Sequence, residues 1–245
     1  MPVLLYAARL GGVVVSTPGL NVKNVPAGPK VFVVLALALA LYVSLGPGQW
    51  SGADPLLLMG VVPLEFVVGV AMGFGVRLIF AAVEMAGEFV SFQMGFAAAA
   101  VFDPTTGASI SPPTRLLYTV SVLLFLAIDG HHQVLLALAS SYEYMPVGGA
   151  SVGGIEAEVF LELVYGIFGS AVRLAFPFVL VMLVINLILG VIVRFVPQVN
   201  VFMIGFILTM GLGMWAMAEM MPSLGTAILA MLEHGQEVLP RLLRR

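Results

Sequence analysis

From Leu56 to Phe102 the chain runs for about 47 residues without a polar loop. As one straight α-helix that stretch would reach ~70 Å, over twice the ~30 Å hydrocarbon core of a bilayer. It must therefore bend back, break, or protrude from a membrane. Pro63, Gly69, Gly73 and Gly75 are the expected break points. Glu65 follows Pro63 by two residues, where a freed carbonyl and a charge both need partners. The pattern recurs from Phe160 to Val193. There Pro177 removes the helical bond to the carbonyl of Arg173 and predicts a kink.

Composition sets the solvent. Hydrophobic residues make up 61% of the 245 and charged residues 9%, against about 25% charged in soluble domains. The apolar stretches are broken by Gly and Pro and lack the alternation of outer-membrane strands. An all-α integral membrane protein is expected. A net charge of −3, with no basic face, excludes nucleic acid as a partner, and the lack of cysteine excludes thiolate chemistry and disulfides. The start, MPVLLYAARLGG, has no charged region ahead of its apolar run and reads as a retained segment.

Six apolar segments are expected. The first two, about Val3 to Val15 and Val31 to Leu45, are short for a span of about 20 residues. The third is the long stretch, and the fourth runs from Leu116 to Ala139 with DGHHQ inside it. The fifth is Phe160 to Val193, and the sixth, Val201 to Met221, is expected to break at Pro222. Lys23, Lys30, Arg115 and Arg194 fall in the loops after segments one, three and five, which places those loops in the cytoplasm. The three tail arginines conflict with a simple six-span topology.

Three features carry functional weight. Arg9, Glu65, Arg77, Glu84, Glu88, Arg173 and Glu219 are charges within apolar segments, where charge is costly and faces protein or water. Of these, Arg77, Glu84 and Glu88 form one helical stripe. Small residues recur at Gly87, Ser91, Gly95 and Ala99, and again at Gly205, Thr209 and Gly213. At four-residue spacing each set lies on one face and admits close helix packing. Asp103-Pro104 is expected to end the third segment. It opens an irregular run, Thr105, Thr106, Gly107, Ala108, Ser109, Ile110 and Ser111, closed by Pro112-Pro113 ahead of Thr114 and Arg115.

Enzyme-like signals are weaker. Gly149-Ala150-Ser151-Val152-Gly153 matches the G-x-S-x-G spacing, but a nucleophile elbow needs a strand before it and a helix directly after it. A glycine-rich loop produces that spacing by chance. His131 and His132 are adjacent, so on a helix they point about 100° apart and do not share a metal. No catalytic, metal or cofactor site is expected. The DGHHQ run reads as a helix end at a water interface. Buried charges with broken helices also fit a small secondary transporter or ion channel.

Four stretches, taken in order, narrow the choice. They are AARLGGVVVSTPGLNVKNVP, AGEFVSFQMGFAAAAVFDP, DGHHQ with SSYEYMPVG, and RFVPQVNVFMIGF. Together they resemble the FliR family of the flagellar export apparatus, whose virulence-system counterpart is SctT. The resemblance covers nearly the whole chain and implies a single domain over residues 1–245. The implied fold is a set of broken helical hairpins, a FliP-like part fused to a FliQ-like part. It implies no enzyme and no cofactor. The chain would instead be one subunit of an export gate in the bacterial inner membrane, at the flagellar basal body. Its partners would be several copies of FliP and FliQ, with FlhB, and its cargo unfolded export substrates. Asp103 to Arg115 would correspond to the family's plug, which helps close the channel at rest.

Overall fold

The computed structural model describes residues 2–18, 26–46, 55–96, 111–149, 157–195 and 201–242. All its elements are α-helices: α1 Pro2–Ser16, α2 Ala27–Leu45, α3 Pro55–Gln93, α4 Pro112–Ala127, α5 Gly130–Tyr144, α6 Ala157–Phe195 and α7 Val201–Leu242. Four of them, α2, α3, α6 and α7, are long and apolar enough to cross a membrane. Taken as one broken span, α4 and α5 make a fifth. The apolar segments read from the sequence thus become helices at the expected places.

Their interruptions fall elsewhere. α3 is one helix of 39 residues with Pro63 inside it, a length of about 58 Å. Gly69 and Gly73 do not break it. They are contact points, described below. α3 stops at Gln93, because Gly95 turns to φ 88, a left-handed conformation that glycine adopts without strain; Asp103-Pro104, expected to end the segment, lies outside the described residues. α6 carries Pro177 within its 39 residues. α7 continues through Pro222, where a break is expected from the sequence. The proline's missing N–H is one bond in a helix of 42 residues.

Between α4 and α5 the break is local and well defined. Asp129 takes a left-handed backbone at φ 56. Its carbonyl then accepts the N–H groups of His132, at 2.9 Å, and Gln133, at 3.2 Å, which starts the next helix. DGHHQ therefore does end a helix, and another begins at once.

The chain divides into two compact units. One comprises residues 1–79, 126–166 and 230–245, the other 80–125 and 167–229. In the second unit α3 contributes Val83, Ala86 and Val90, with Met94 just past its end, at spacings of three and four. Against them pack Leu117 of α4, Leu174, Phe178 and Met182 of α6, and Met217, Met220 and Leu224 of α7. In the first unit α1 packs on α2, and Val68 of α3 packs with Met145.

Candidate functional site: a buried arginine clamp and the start of α4

α1 and α3 touch backbone to backbone. A Cβ at Gly69 would overlap the carbonyl of Arg9. One at Gly12 would overlap the carbonyl of Phe66, and one at Gly73 would overlap Ser16 and sit 2.7 Å from the carbonyl of Val13. Side chains at these three glycines would hold the helices apart. With Arg9 seated on Gly69, its side chain reaches Glu65, one turn earlier on α3.

The two side chains are completely buried. Arg9 Nε donates to Glu65 Oε2 at 2.6 Å, Nη1 to Ser141 Oγ at 3.1 Å, and Nη2 to the carbonyl of Met145 at 3.0 Å. The guanidinium lies 4.2 Å from the centre of the Tyr142 ring, close enough for a cation–π contact. Glu65 Oε1 accepts the N–H of Gly148 at 2.8 Å. Both carboxylate oxygens are therefore engaged. Gly148 stands at φ 84, a left-handed conformation that glycine adopts without strain, in the turn after α5. Tyr6 packs beside the clamp, its ring 4.8 Å from Tyr142 and its hydroxyl donating to the carbonyl of Gly46. The arrangement can hold α1, α3, α5 and the following turn in one register. It leaves neither charge open to an ion or substrate.

The other charges read as buried lie differently. Arg77, Glu88, Arg173 and Glu219 are exposed on this chain, and Glu84 is half-buried. Among the described residues none of them forms an ion pair. A charge left exposed on a membrane-length helix needs water or a neighbouring chain.

The small-residue ladders also divide. A Cβ at Gly87 would lie 2.9 Å from Thr114 Cα, so α3 and α4 are in close contact there, and Ser91 is buried one turn on. Gly95 is outside the helix, with open van der Waals space at 3.6 Å from Phe206. Ala99 lies outside the described residues. On α7, Gly213 meets Met94, Thr209 is buried with its hydroxyl on the carbonyl of Phe206, and Gly205 comes no nearer than 4.0 Å to Leu189. Both ladders thus touch helices of their own chain.

Of the expected plug, Asp103, Pro104, Thr105, Thr106, Gly107, Ala108, Ser109 and Ile110 fall outside the described residues. Its end is visible. Pro112 and Pro113 form the first turn of α4, where a missing N–H costs nothing. Ser111 precedes them as the helix cap, its Oγ 2.7 Å from Thr114 Oγ1 and its carbonyl accepting the N–H of Arg115. Pro113 and Thr114 are buried, whereas Arg115 is exposed. The segment therefore leads into a firmly seated helix start.

Among the described residues the enzyme-like groups do not assemble. His131 and His132 rings are 6.2 Å apart and inclined at 65°. Among the described residues no three His, Asp or Glu side chains gather to hold a metal. Ser151 of the G-x-S-x-G spacing lies outside the described residues. Sequence reasoning flagged Arg9 and Glu65 but missed Ser141, Tyr142, Met145, Gly148 and the three contact glycines. The available signal was an intramembrane arginine and glutamate of opposite charge with a glycine turn still unassigned.

Comparison with known proteins decides the family. A family model described as bacterial export proteins, family 1, matches residues 1–235. The chain belongs to that family. It is 30% identical to the flagellar biosynthetic protein FliR of Escherichia coli over 217 residues, covering 87% of this chain and 82% of that protein. With FliR of Pectobacterium carotovorum subsp. carotovorum the identity is 32% over 220 residues, with the same coverage. FliR of Bacillus subtilis is 31% identical over 206 residues, 82% of this chain and 79% of that protein. Arg9 and the turn that receives it fall within two of the four stretches whose resemblance pointed to this family.

Proposed function

We propose that the chain is a non-enzymatic structural and gating subunit of the flagellar type III protein export channel. It sits in the bacterial inner membrane at the flagellar basal body. It assembles with several FliP-like and FliQ-like chains and with a FlhB-like chain, and unfolded flagellar substrates pass through the assembly. The observation that carries this reading is the family match over residues 1–235, with flagellar FliR relatives aligned over about four-fifths of their length. The chain is thereby a component of the flagellar export apparatus. Its gating role and its partners are the proposal.

Two physical features support a multi-chain assembly. Only 6% of α2 and 17% of the apolar window of α6 are buried by the chain itself, so large apolar faces await lipid or subunits. Arg77, Glu88 and Arg173 stand exposed on membrane-length helices, where carboxylates and cations of neighbouring chains would meet them. Within the proposal, residues 103–115 act as the plug. A transporter that works through buried charge is the weaker reading, because Arg9 and Glu65 are consumed by each other and by the backbone.

Co-purification tests the assembly. The tagged full chain, expressed with its FliP-, FliQ- and FlhB-like neighbours, should be recovered as one heteromeric complex. Expressed alone it should be unstable or aggregated. A stable homo-oligomer, with no neighbour retained, would overturn the reading.

A further inference from the structure

α6 turns one face inward and leaves the opposite face bare. Leu174, Ala175, Phe178 and Met182 belong to the core of the second unit. Arg173, Phe176, Leu180 and Leu187 follow one another at spacings of three, four and seven and so lie on the other side of the helix. All four are exposed, Phe176 at 59% and Leu187 at 63%. Gly169 continues the same face, and a Cβ there would find no atom within 4 Å. Arg173 is the single charged residue of the apolar window Val164–Ile192. By helical rise it lies about 14 Å in from the nearer end of that window. Among the described residues it has no ion pair. Pro177 also withholds the N–H that would meet the carbonyl of Arg173 in a regular helix. A guanidinium and a carbonyl without its helical bond thus share one level of an otherwise apolar face.

We propose that this face of α6 docks a membrane helix of a neighbouring subunit, one that carries an aspartate or glutamate at the level of Arg173. The inference rests on the multi-chain reading above and names the chemistry of one partner. Charge complementarity selects the occupant. A charge within an apolar membrane helix faces protein or water and avoids lipid tails, yet Arg173 stands on the side that its own chain does not cover. A lipid phosphate lies at the membrane surface, farther from this level than an arginine stem extends. A carboxylate on an adjacent helix meets the guanidinium with two parallel hydrogen bonds, and away from water that attraction is strengthened. Gly169, one turn away, lets such a helix come close to the backbone of α6. A symmetric pairing with a second copy of this chain fails on charge. It would set Arg173 against its own counterpart, and no carboxylate lies between Val164 and Ile192 to separate them.

Photocrosslinking of the full chain within its co-expressed complex tests the face. A benzophenone side chain replaces Phe176, or Leu180 should the first variant assemble poorly, and adducts are identified by mass and by peptide sequence. The expected adduct joins this chain to a neighbouring subunit, on a helix with a carboxylate within one turn of the labelled position. Arg173→Glu should lower its yield on the order of tenfold, because facing like charges repel. Exchanging the partner's carboxylate for lysine in that background should restore it. An adduct of lipid mass, one with a second copy of this chain, or one on a helix without a carboxylate would overturn the proposal, while the neighbours recovered in the same preparation leave the export-assembly reading standing. A yield unchanged in Arg173→Glu would overturn it too. Loss of every neighbour from the wild-type preparation would overturn both.

Discussion

Arg9 and Glu65 are 56 positions apart and meet as a wholly buried ion pair, Nε 2.6 Å from Oε2. Charge taken out of water is tolerable when it is paired and its remaining hydrogen-bonding capacity is met. Here Ser141, Met145 and Gly148 supply those bonds. The pair is thus a registry device for the first unit.

Breaking the pair on one side should be costly. Glu65→Leu strands a buried guanidinium, at about 3–5 kcal/mol. Joining it with Arg9→Met removes both charges and leaves only the groups at Met145 and Gly148 to satisfy, about 1–3 kcal/mol. Thermal unfolding of the complex purified in detergent should therefore rank the double variant above either single one. Costs that simply add would show that the two side chains are not coupled.

The contact of α1 with α3 makes a second prediction. Gly69→Val forces a side chain into the carbonyl of Arg9, whereas Gly75→Val enters space with no atom within 4 Å. The first should destabilise by 1–3 kcal/mol or more, of the order seen for overpacking, and the second should be near neutral. Protease resistance of the two variants in detergent gives the comparison. Equal resistance would mean that the helices do not meet at Gly69.

These two cases also show what the sequence could and could not reveal. The helices were legible, because runs of apolar residues in a charge-poor chain leave a membrane protein few alternatives. The family was legible from four short stretches. Arg9 and Glu65 were each conspicuous as charges in apolar segments, but their pairing depends on a crossing of α1 and α3 that no local pattern encodes. Gly69 and Gly73 read as breaks because a glycine that admits a neighbouring backbone looks the same in sequence as one that ends a helix. Pro222 misled for a related reason: in a long apolar helix the cost of one lost hydrogen bond is outweighed by continued packing of the buried Met220 and Leu224. Gly95 ends α3 through its backbone angle, which no residue pattern announces.

The exposed stripe on α3 gives a third prediction. Glu88 is exposed on the isolated chain, yet it sits on a membrane-length helix. In the assembled complex it should meet a cation or backbone donor of another subunit. Glu88→Leu should then lower recovery of the complex. Wild-type assembly and export in that variant would mean the stripe is merely solvated.

A resting export channel must hold back ions and still admit an unfolded chain, so the central claim rests on the segment from Asp103 to Arg115. Its residues from Thr105 to Ser111 are small and mostly polar, with little to bury, so moving them aside would cost little. The most direct measurement is the conductance of the purified complex in a planar bilayer after shortening of Thr106–Ser111. A shortening that spares Ser111 keeps the cap of α4, so Pro113 and Thr114 keep their buried seats. The account predicts an assembled complex that leaks small ions and still exports in part. An assembled complex no more conductive than wild type would contradict it.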